Sequence, residues 1–222
     1  MDILLIPGFM LDTDLWSDVR PEIARFGNIV DVDTTQDLTI EAMAARAVAS
    51  IATSAIVVGF SMGGYVARQI AYRAPGLVRG LALVATSSRG SRPQPIMRSA
   101  ANGFRELSRS AVVRSLHPEH RSEDRIERVQ HMSRRLGGDA FFMQSRLQRD
   151  DDTKRLSGIA CPTVVVAAAE DELRSVDESR TLHENIPNST MTIIEGTGHL
   201  IPLERPAELM AALQPLLSMH DA

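Results

Sequence analysis

Gly59-Phe60-Ser61-Met62-Gly63-Gly64 follows the apolar run Ala55-Ile56-Val57-Val58 and leads into Tyr65-Val66-Ala67-Arg68-Gln69-Ile70-Ala71. The first run reads as a buried strand and the second as a helix. A Gly-x-Ser-x-Gly turn between the two is the context a nucleophile elbow requires, with the serine lifted on a sharp strand-to-helix turn. A serine hydroxyl alone is a poor nucleophile, so the rest of the chain must supply a base, an acid and oxyanion donors.

Working outward, Ile3–Ile6 is a short apolar run ended by Pro7-Gly8 and reads as a strand, as does Asn28–Asp33. Ile40–Ile51 carries apolar residues at helical spacing. Ala55–Phe60 is the next strand, and Met62–Arg73 its helix, stopped by Ala74-Pro75-Gly76. Val78–Ala85, Thr163–Ala169 and Thr190–Glu195 read as strands, with helices over Val176–Asn185 and Ala207–Leu217. Alternating strands and helices predict an α/β fold, a mostly parallel sheet flanked by helices. Near-continuous runs such as Thr163-Val164-Val165-Val166-Ala167 fit strands buried on both faces.

Between Ser87 and Ser157 the rhythm changes to helical patterns over Ile96–Leu107, Val112–Leu116, Arg125–Leu136 and Ala140–Leu147. The expected organisation is a core of residues 1–88 and 156–222 with a helical lid, 89–155, over the carboxyl ends of the strands. The lid is Arg-rich: 15 Lys and Arg stand against 9 Asp and Glu between Arg89 and Arg155, in a chain whose net charge is −4. Solvated helix faces explain such a surplus, and so does a lid that favours anionic substrates. The acidic balance overall argues against a nucleic-acid surface. The single cysteine, Cys161, excludes an intrachain disulfide and reads as a small buried residue. Met1-Asp2-Ile3-Leu4-Leu5 lacks the charge and length of a signal peptide, and no run approaches the ~20 apolar residues that span a bilayer. The expectation is a cytoplasmic protein without membrane partners; nothing in the residues points to an oligomeric state.

A histidine, His199, lies in Gly196-Thr197-Gly198-His199-Leu200 directly after the last strand. From there it can project over the sheet edge as a general base. An acid at a strand's carboxyl end can fix its tautomer and stabilise the imidazolium. Glu170-Asp171-Glu172 follows Thr163–Ala169, and Asp171 is the choice, with Glu170 and Glu172 as local rivals. The segment after the fourth strand, Ala85-Thr86-Ser87-Ser88-Arg89, offers no carboxylate. Oxyanion donors are backbone N–H groups held where negative charge develops. They are assigned to Met62, after the serine, and to Phe9 in the loop after the first strand, with Met10 as the alternative.

The order Ser61, Asp171, His199, together with Pro7-Gly8-Phe9 followed by Trp16 and Gly196-x-Gly198-His199 followed by Glu204-Arg205-Pro206, resembles the α/β-hydrolase superfamily. The resemblance covers the chain outside the lid. Two departures are Pro7, where the family usually has His, and a start that lacks the usual first two strands; it implies a compact variant. Trp16 and Glu204 are read as a packing anchor and a helix-entry acid.

The resemblance implies a serine hydrolase acting on a small or medium acyl ester, lactone or thioester through an acyl-enzyme, without cofactor. Its rate should fall as His199 protonates, an unperturbed imidazole titrating near ~6.5. Ser61 argues against the family's Asp-nucleophile chemistries, and the sole lysine, Lys154, argues against its lyases. Met97, Phe104, Met132, Phe141, Phe142 and Met143 are candidate substrate-binding residues, or they simply pack the lid down. His117 and His120 are separated by Pro118, and neither they nor His131 form a recognisable metal motif, so no metal site is expected. The reading from another class is a small-molecule receptor that keeps the triad without turnover.

Overall fold

The protein is described by a computed structural model covering residues 1–92 and 102–219. Its centre is one six-stranded, all-parallel sheet. The strands are β1 (Asp2–Ile6), β2 (Asn28–Asp31), β3 (Ala55–Phe60), β4 (Val78–Val84), β5 (Thr163–Ala168) and β6 (Ser189–Ile194), in the order β2-β1-β3-β4-β5-β6. The helices are α1 (Arg20–Ile23), α2 (Ile40–Ala49), α3 (Met62–Arg73), α4 (Arg109–Arg114), α5 (Glu123–Ser145), α6 (Val176–Asn185), α7 (Ile201–Glu204) and α8 (Pro206–Leu217). The strand and helix boundaries predicted for the core shift by at most two residues, whereas α4 begins three residues before the predicted Val112.

The pleat sorts successive residues of each strand onto opposite faces. On one face Ile3, Leu5, Ile56, Val58, Phe60, Ala82 and Val84 pack under Trp16 and the α8 residues Leu209, Leu213 and Leu216. On the other, Leu4, Ile6, Val57, Leu81 and Leu83 pack under Met43 of α2, Val66 and Ile70 of α3 and Leu182 of α6. Across the four central strands two buried faces leave no polar side, which is why those strands read as continuous apolar runs.

The chain runs from β1 outward to β2, then crosses to β3 on the other side of β1. This reversal makes β1 and β3 neighbours from which the chain leaves towards opposite edges of the sheet, the place where open parallel sheets bind ligands. Pro7 and Ser61 begin the two loops that flank it.

The helical segment between β4 and β5 packs Val112, Leu116, Ile126, Val129 and Met132 into the first apolar face. The two helices read over Arg125–Leu136 and Ala140–Leu147 are halves of α5, broken at Gly137 (φ 74°, ψ −176°). An extended ψ with positive φ is a conformation only glycine adopts readily. The first half of the helix read over Ile96–Leu107, and with it Met97, lies outside the described residues; the described stretch 104–107 is irregular.

Part of the arginine surplus of this segment is engaged within the molecule. Arg128 bonds Asp14 and Asp18, Arg135 bonds Asp12 and Asp14, Arg134 pairs with Glu106, and Arg109 with Glu123. Arg125 donates to the carbonyls of His120 and Leu203. Asp152, at the segment's end, forms a fully enclosed pair with Arg68 of α3 at 2.7 Å; Arg68 also donates to the Ser87 carbonyl. Among the described residues no helix is long and apolar enough to cross a membrane. Cys161 is half-buried rather than enclosed, and burial pushes its thiol above the ordinary value despite a bond with Thr163. A raised thiol pKa disfavours the nucleophilic thiolate.

Candidate active site

Three non-glycine residues among those described have positive φ: Met10 (55°), Ser61 (51°) and Ala85 (46°). Each lies just past the carboxyl end of a strand, at β1, β3 and β4 respectively. Such conformations cost about 1–3 kcal/mol each and persist only where the surroundings over-determine them. Around Ser61 they do. Its N–H donates to the Val84 carbonyl at 2.9 Å, and its carbonyl accepts from Thr86 Oγ1 at 2.7 Å and from Gly64 N–H at 3.0 Å. The glycines of the motif are steric requirements. A Cβ at Gly63 would lie 2.3 Å from the Ile6 carbonyl oxygen, and one at Gly59 2.5 Å from the Gly63 oxygen.

Ser61, His199 and Asp171 meet, although they are carried on three different strand ends. Ser61 Oγ lies 2.9 Å from His199 Nε2, and His199 Nδ1 lies 2.7 Å from Asp171 Oδ2. The side chains of His199 and Asp171 are almost wholly enclosed. Because Asp171 is the acceptor, Nδ1 carries the proton, and Nε2 is left with a lone pair facing the serine hydroxyl. The other carboxylate oxygen of Asp171 accepts from the N–H groups of Leu173 and Arg174, at 2.7 and 2.9 Å. The two rival acids are engaged elsewhere: Glu170 accepts from Thr197 N–H, and Glu172 is exposed beside Arg121.

Sequence reasoning missed the role of Glu204, taken as a helix-entry acid. It is a buried hub at the end of α7. One oxygen accepts from Leu200 N–H at 3.0 Å; the other accepts from Gly198 N–H at 3.1 Å and His117 N–H at 2.8 Å, and lies 3.1 Å from His120 Nδ1. The backbone on both sides of His199 is therefore clamped to one carboxylate, which also ties in the helical segment. Phe60 lies against the imidazole, ring centroids 5.0 Å apart, and Trp16 meets Phe60 edge-on at 6.4 Å.

Met62 N–H is the first of α3, where no carbonyl of its own helix can reach it. In the loop after β1, the Gly8 carbonyl accepts from Leu11 N–H, closing a turn with Phe9 and Met10 at its centre. The two readings of this loop part here. Met10 N–H donates to Gln144 Oε1 at 2.8 Å, so it is not available to a ligand. Gly8 lies close under this site, since a Cβ there would sit 2.9 Å from the Phe60 ring and 3.3 Å from Ser61 Cβ.

Residues 3–213 match the Alpha/beta hydrolase family. The chain belongs to that family. This hydrolase is 25% identical over 234 residues to a pimeloyl-[acyl-carrier protein] methyl ester esterase of Neisseria meningitidis, covering 95% of this chain and 91% of that one. It is 25% identical over 263 residues to a monoacylglycerol lipase of Mus musculus, covering 99% of this chain and 76% of that one. A thermophilic esterase from Thermogutta terrifontis superposes with a TM-score of 0.72 at 25% identity, covering 98% of this chain and 89% of the other. An enol-lactonase from Burkholderia xenovorans gives a TM-score of 0.82 at 16% identity over 98% of this chain and 91% of the other, a likeness of fold alone.

The apolar residues named as substrate-binding divide by position. Met132 of the hydrolase is wholly buried in the core face, where it packs the helical segment down. Phe141 lies edge-on to Phe9 at 6.0 Å and stacks on Phe104 at 4.2 Å, so this pair borders the loop after β1. Phe142 sits under Arg146, and Met143 is half-buried. Of the histidines considered for a metal, His120 faces Glu204, His117 Nδ1 accepts from Glu119 N–H, and His131 is half-buried beside Glu127.

Proposed function

We propose that this hydrolase cleaves small or medium neutral acyl esters, lactones or thioesters by a Ser61–His199–Asp171 relay. The observation that carries the reading is the unbroken chain of contacts from Asp171 Oδ2 through the imidazole to Ser61 Oγ, at 2.7 and 2.9 Å. In the first step His199 Nε2 takes the hydroxyl proton as Ser61 Oγ bonds to the acyl carbon. The carbonyl oxygen becomes an oxyanion held by the N–H groups of Phe9 and Met62. His199 then hands its proton to the leaving alcohol, thiol or ring oxygen. Water repeats the sequence on the acyl-serine and regenerates the enzyme.

Residues 89–155 act as a lid over the core formed by 1–88 and 156–222. Neutral substrates are favoured because Arg109, Arg128, Arg134 and Arg135 are already matched by carboxylates. A cleft of about 300 Å³ beside the loop after β1 is lined by Pro7, Leu11 and Leu136, an apolar wall for a neutral acyl chain; Asp12 and Asp31 in it are paired with Arg135 and Arg20. The relatives that act on methyl esters and acylglycerols belong to the same reaction class.

A panel of p-nitrophenyl esters, lactones and thioesters tests the proposal. Turnover by the wild type, with a loss on the order of 10⁶ in kcat for Ser61→Ala, is the expected result. Retention of most ester hydrolysis by Ser61→Ala would remove the nucleophile. A KM for anionic esters that rises steeply with salt while that for neutral esters stays flat would contradict the preference for neutral substrates.

A further inference from the structure

Gln144 is a buried polar side chain on α5, 1% exposed, that the relay described above does not use. Its Oε1 accepts from Met10 N–H at 2.8 Å, while its Nε2 donates to Thr34 Oγ1 at 3.1 Å and to the Thr34 carbonyl at 3.3 Å. The orientation of the amide is forced. Turned over, it would set its NH₂ against the Met10 N–H and its oxygen against the Thr34 carbonyl.

We propose that Gln144 is a positioning residue that holds the loop after β1 in the conformation that aims Phe9 N–H at the oxyanion. The inference rests on the acyl-transfer reading above. Three further observations carry it. Met10 occupies the third position of the Gly8–Leu11 turn with φ 55°, the geometry of a type II turn, in which glycine is the usual residue. A methionine there holds this form only if something outside the turn fixes the Phe9–Met10 peptide, and Gln144 Oε1 bonds that very peptide. Without that bond the turn can relax away from the positive φ at Met10, and the Phe9 backbone, whose N–H is the oxyanion donor, loses its one fixed neighbour on this side. Phe141, one helical turn before Gln144, packs edge-on to Phe9 at 6.0 Å, so the same helical half touches the loop twice. Finally, that half begins just after the break at Gly137, so it can orient independently of the half that packs into the core.

The test uses the intact chain with p-nitrophenyl butyrate, a trifluoromethyl ketone that adds to the serine to give a bound oxyanion, and the matching methyl ketone, which binds without adding. Gln144→Met keeps the volume and removes the bond. The expected result is a kcat lower by about 10- to 100-fold, short of the loss of an oxyanion donor outright. KM should stay within about twofold, trifluoromethyl ketone affinity should fall in proportion to kcat, and methyl ketone affinity should not change. Thr34→Val, which leaves Gln144 Oε1 on Met10 but frees one of its two anchors, should show the same pattern at a few-fold scale; it decides the matter if Gln144→Met fails to fold. Wild-type kcat in Gln144→Met, or a loss shared equally by KM and methyl ketone binding, would overturn the inference. Its failure is distinguishable from that of the triad: a Ser61→Ala variant that still turns over sinks the relay, whereas an inactive Ser61→Ala beside a fully active Gln144→Met sinks only the role of Gln144.

Discussion

Gly63 illustrates how closely the elbow is built. Its α-hydrogen faces the carbonyl oxygens of Ile6 and Pro7, which a Cβ would approach to 2.3 and 2.6 Å. Those atoms are backbone and cannot step aside. Gly63→Ala should therefore cost about 3 kcal/mol or more in stability, measured by urea denaturation, or leave no folded protein. An unchanged midpoint would mean the loops can separate. Glu204 has the converse role, since it fills the needs of three buried N–H groups. Glu204→Ala would leave the donors of Gly198, Leu200 and His117 without partners at about 1 kcal/mol or more each, and free the backbone around His199. Ester turnover should drop with stability in that variant. Full activity at native stability would show that the His199 loop stands without it. The glycines and the catalytic candidates were legible in the sequence because they carry a fixed spacing around a strand end. Glu204 and Gln144 were not, because a buried polar hub is defined by partners more than 80 residues away in the chain, as with Glu204 and His117.

At the scale of elements, the sheet was legible throughout, since each of the four central strands alternates between two buried faces and each crossover helix has caps or breakers at its ends. The helical segment was legible as helices but not as a docked body. Its arginines read as surface charge or a basic lid, yet Arg128 and Arg135 find carboxylates in the loop after β1, a partner that linear order does not reveal. The pairing has a pH signature at Asp14. Burial acts to raise its carboxyl, but Arg128 and the bonds from Ser17 and Arg135 outweigh that and hold it below the ordinary aspartate value. A depressed folded-state pKa means that the stabilisation is complete above the unfolded value and is lost as pH falls through the folded one. Below about pH 4 the wild type should therefore lose melting temperature more steeply than a variant carrying Arg128→Met and Arg135→Met. Parallel curves would show that the pairs contribute nothing. The Arg68–Asp152 pair is enclosed and should matter more. Asp152→Ala strands a buried guanidinium and should cost about 3–5 kcal/mol, read as a fall of roughly 10 °C in melting temperature. A fall of only a degree or two would contradict that burial.

For the whole molecule, the decisive fact is topological. The order of the strands reverses at β1 and β3, and all five residues assigned to the chemistry lie just past the carboxyl ends of β1, β3, β5 and β6, four in loops and Met62 at the start of α3. Strained backbone gathers at the same edge, as expected where a fold spends stability on function. The helical segment reaches that edge twice, at Met10 through Gln144 and at the His199 loop through His117 and Glu204. Substrate identity was not legible beyond acyl chemistry, because pocket shape depends on how that segment docks rather than on any motif. The account as a whole stands on Ser61 forming a covalent acyl intermediate. The most direct measurement is mass spectrometry of the chain quenched with acid during turnover of p-nitrophenyl acetate. One acetyl group on the peptide that contains Ser61, absent from Ser61→Ala and strongly reduced in His199→Ala, is the predicted result. Turnover with Ser61 unmodified and the acetyl group on another side chain would contradict it.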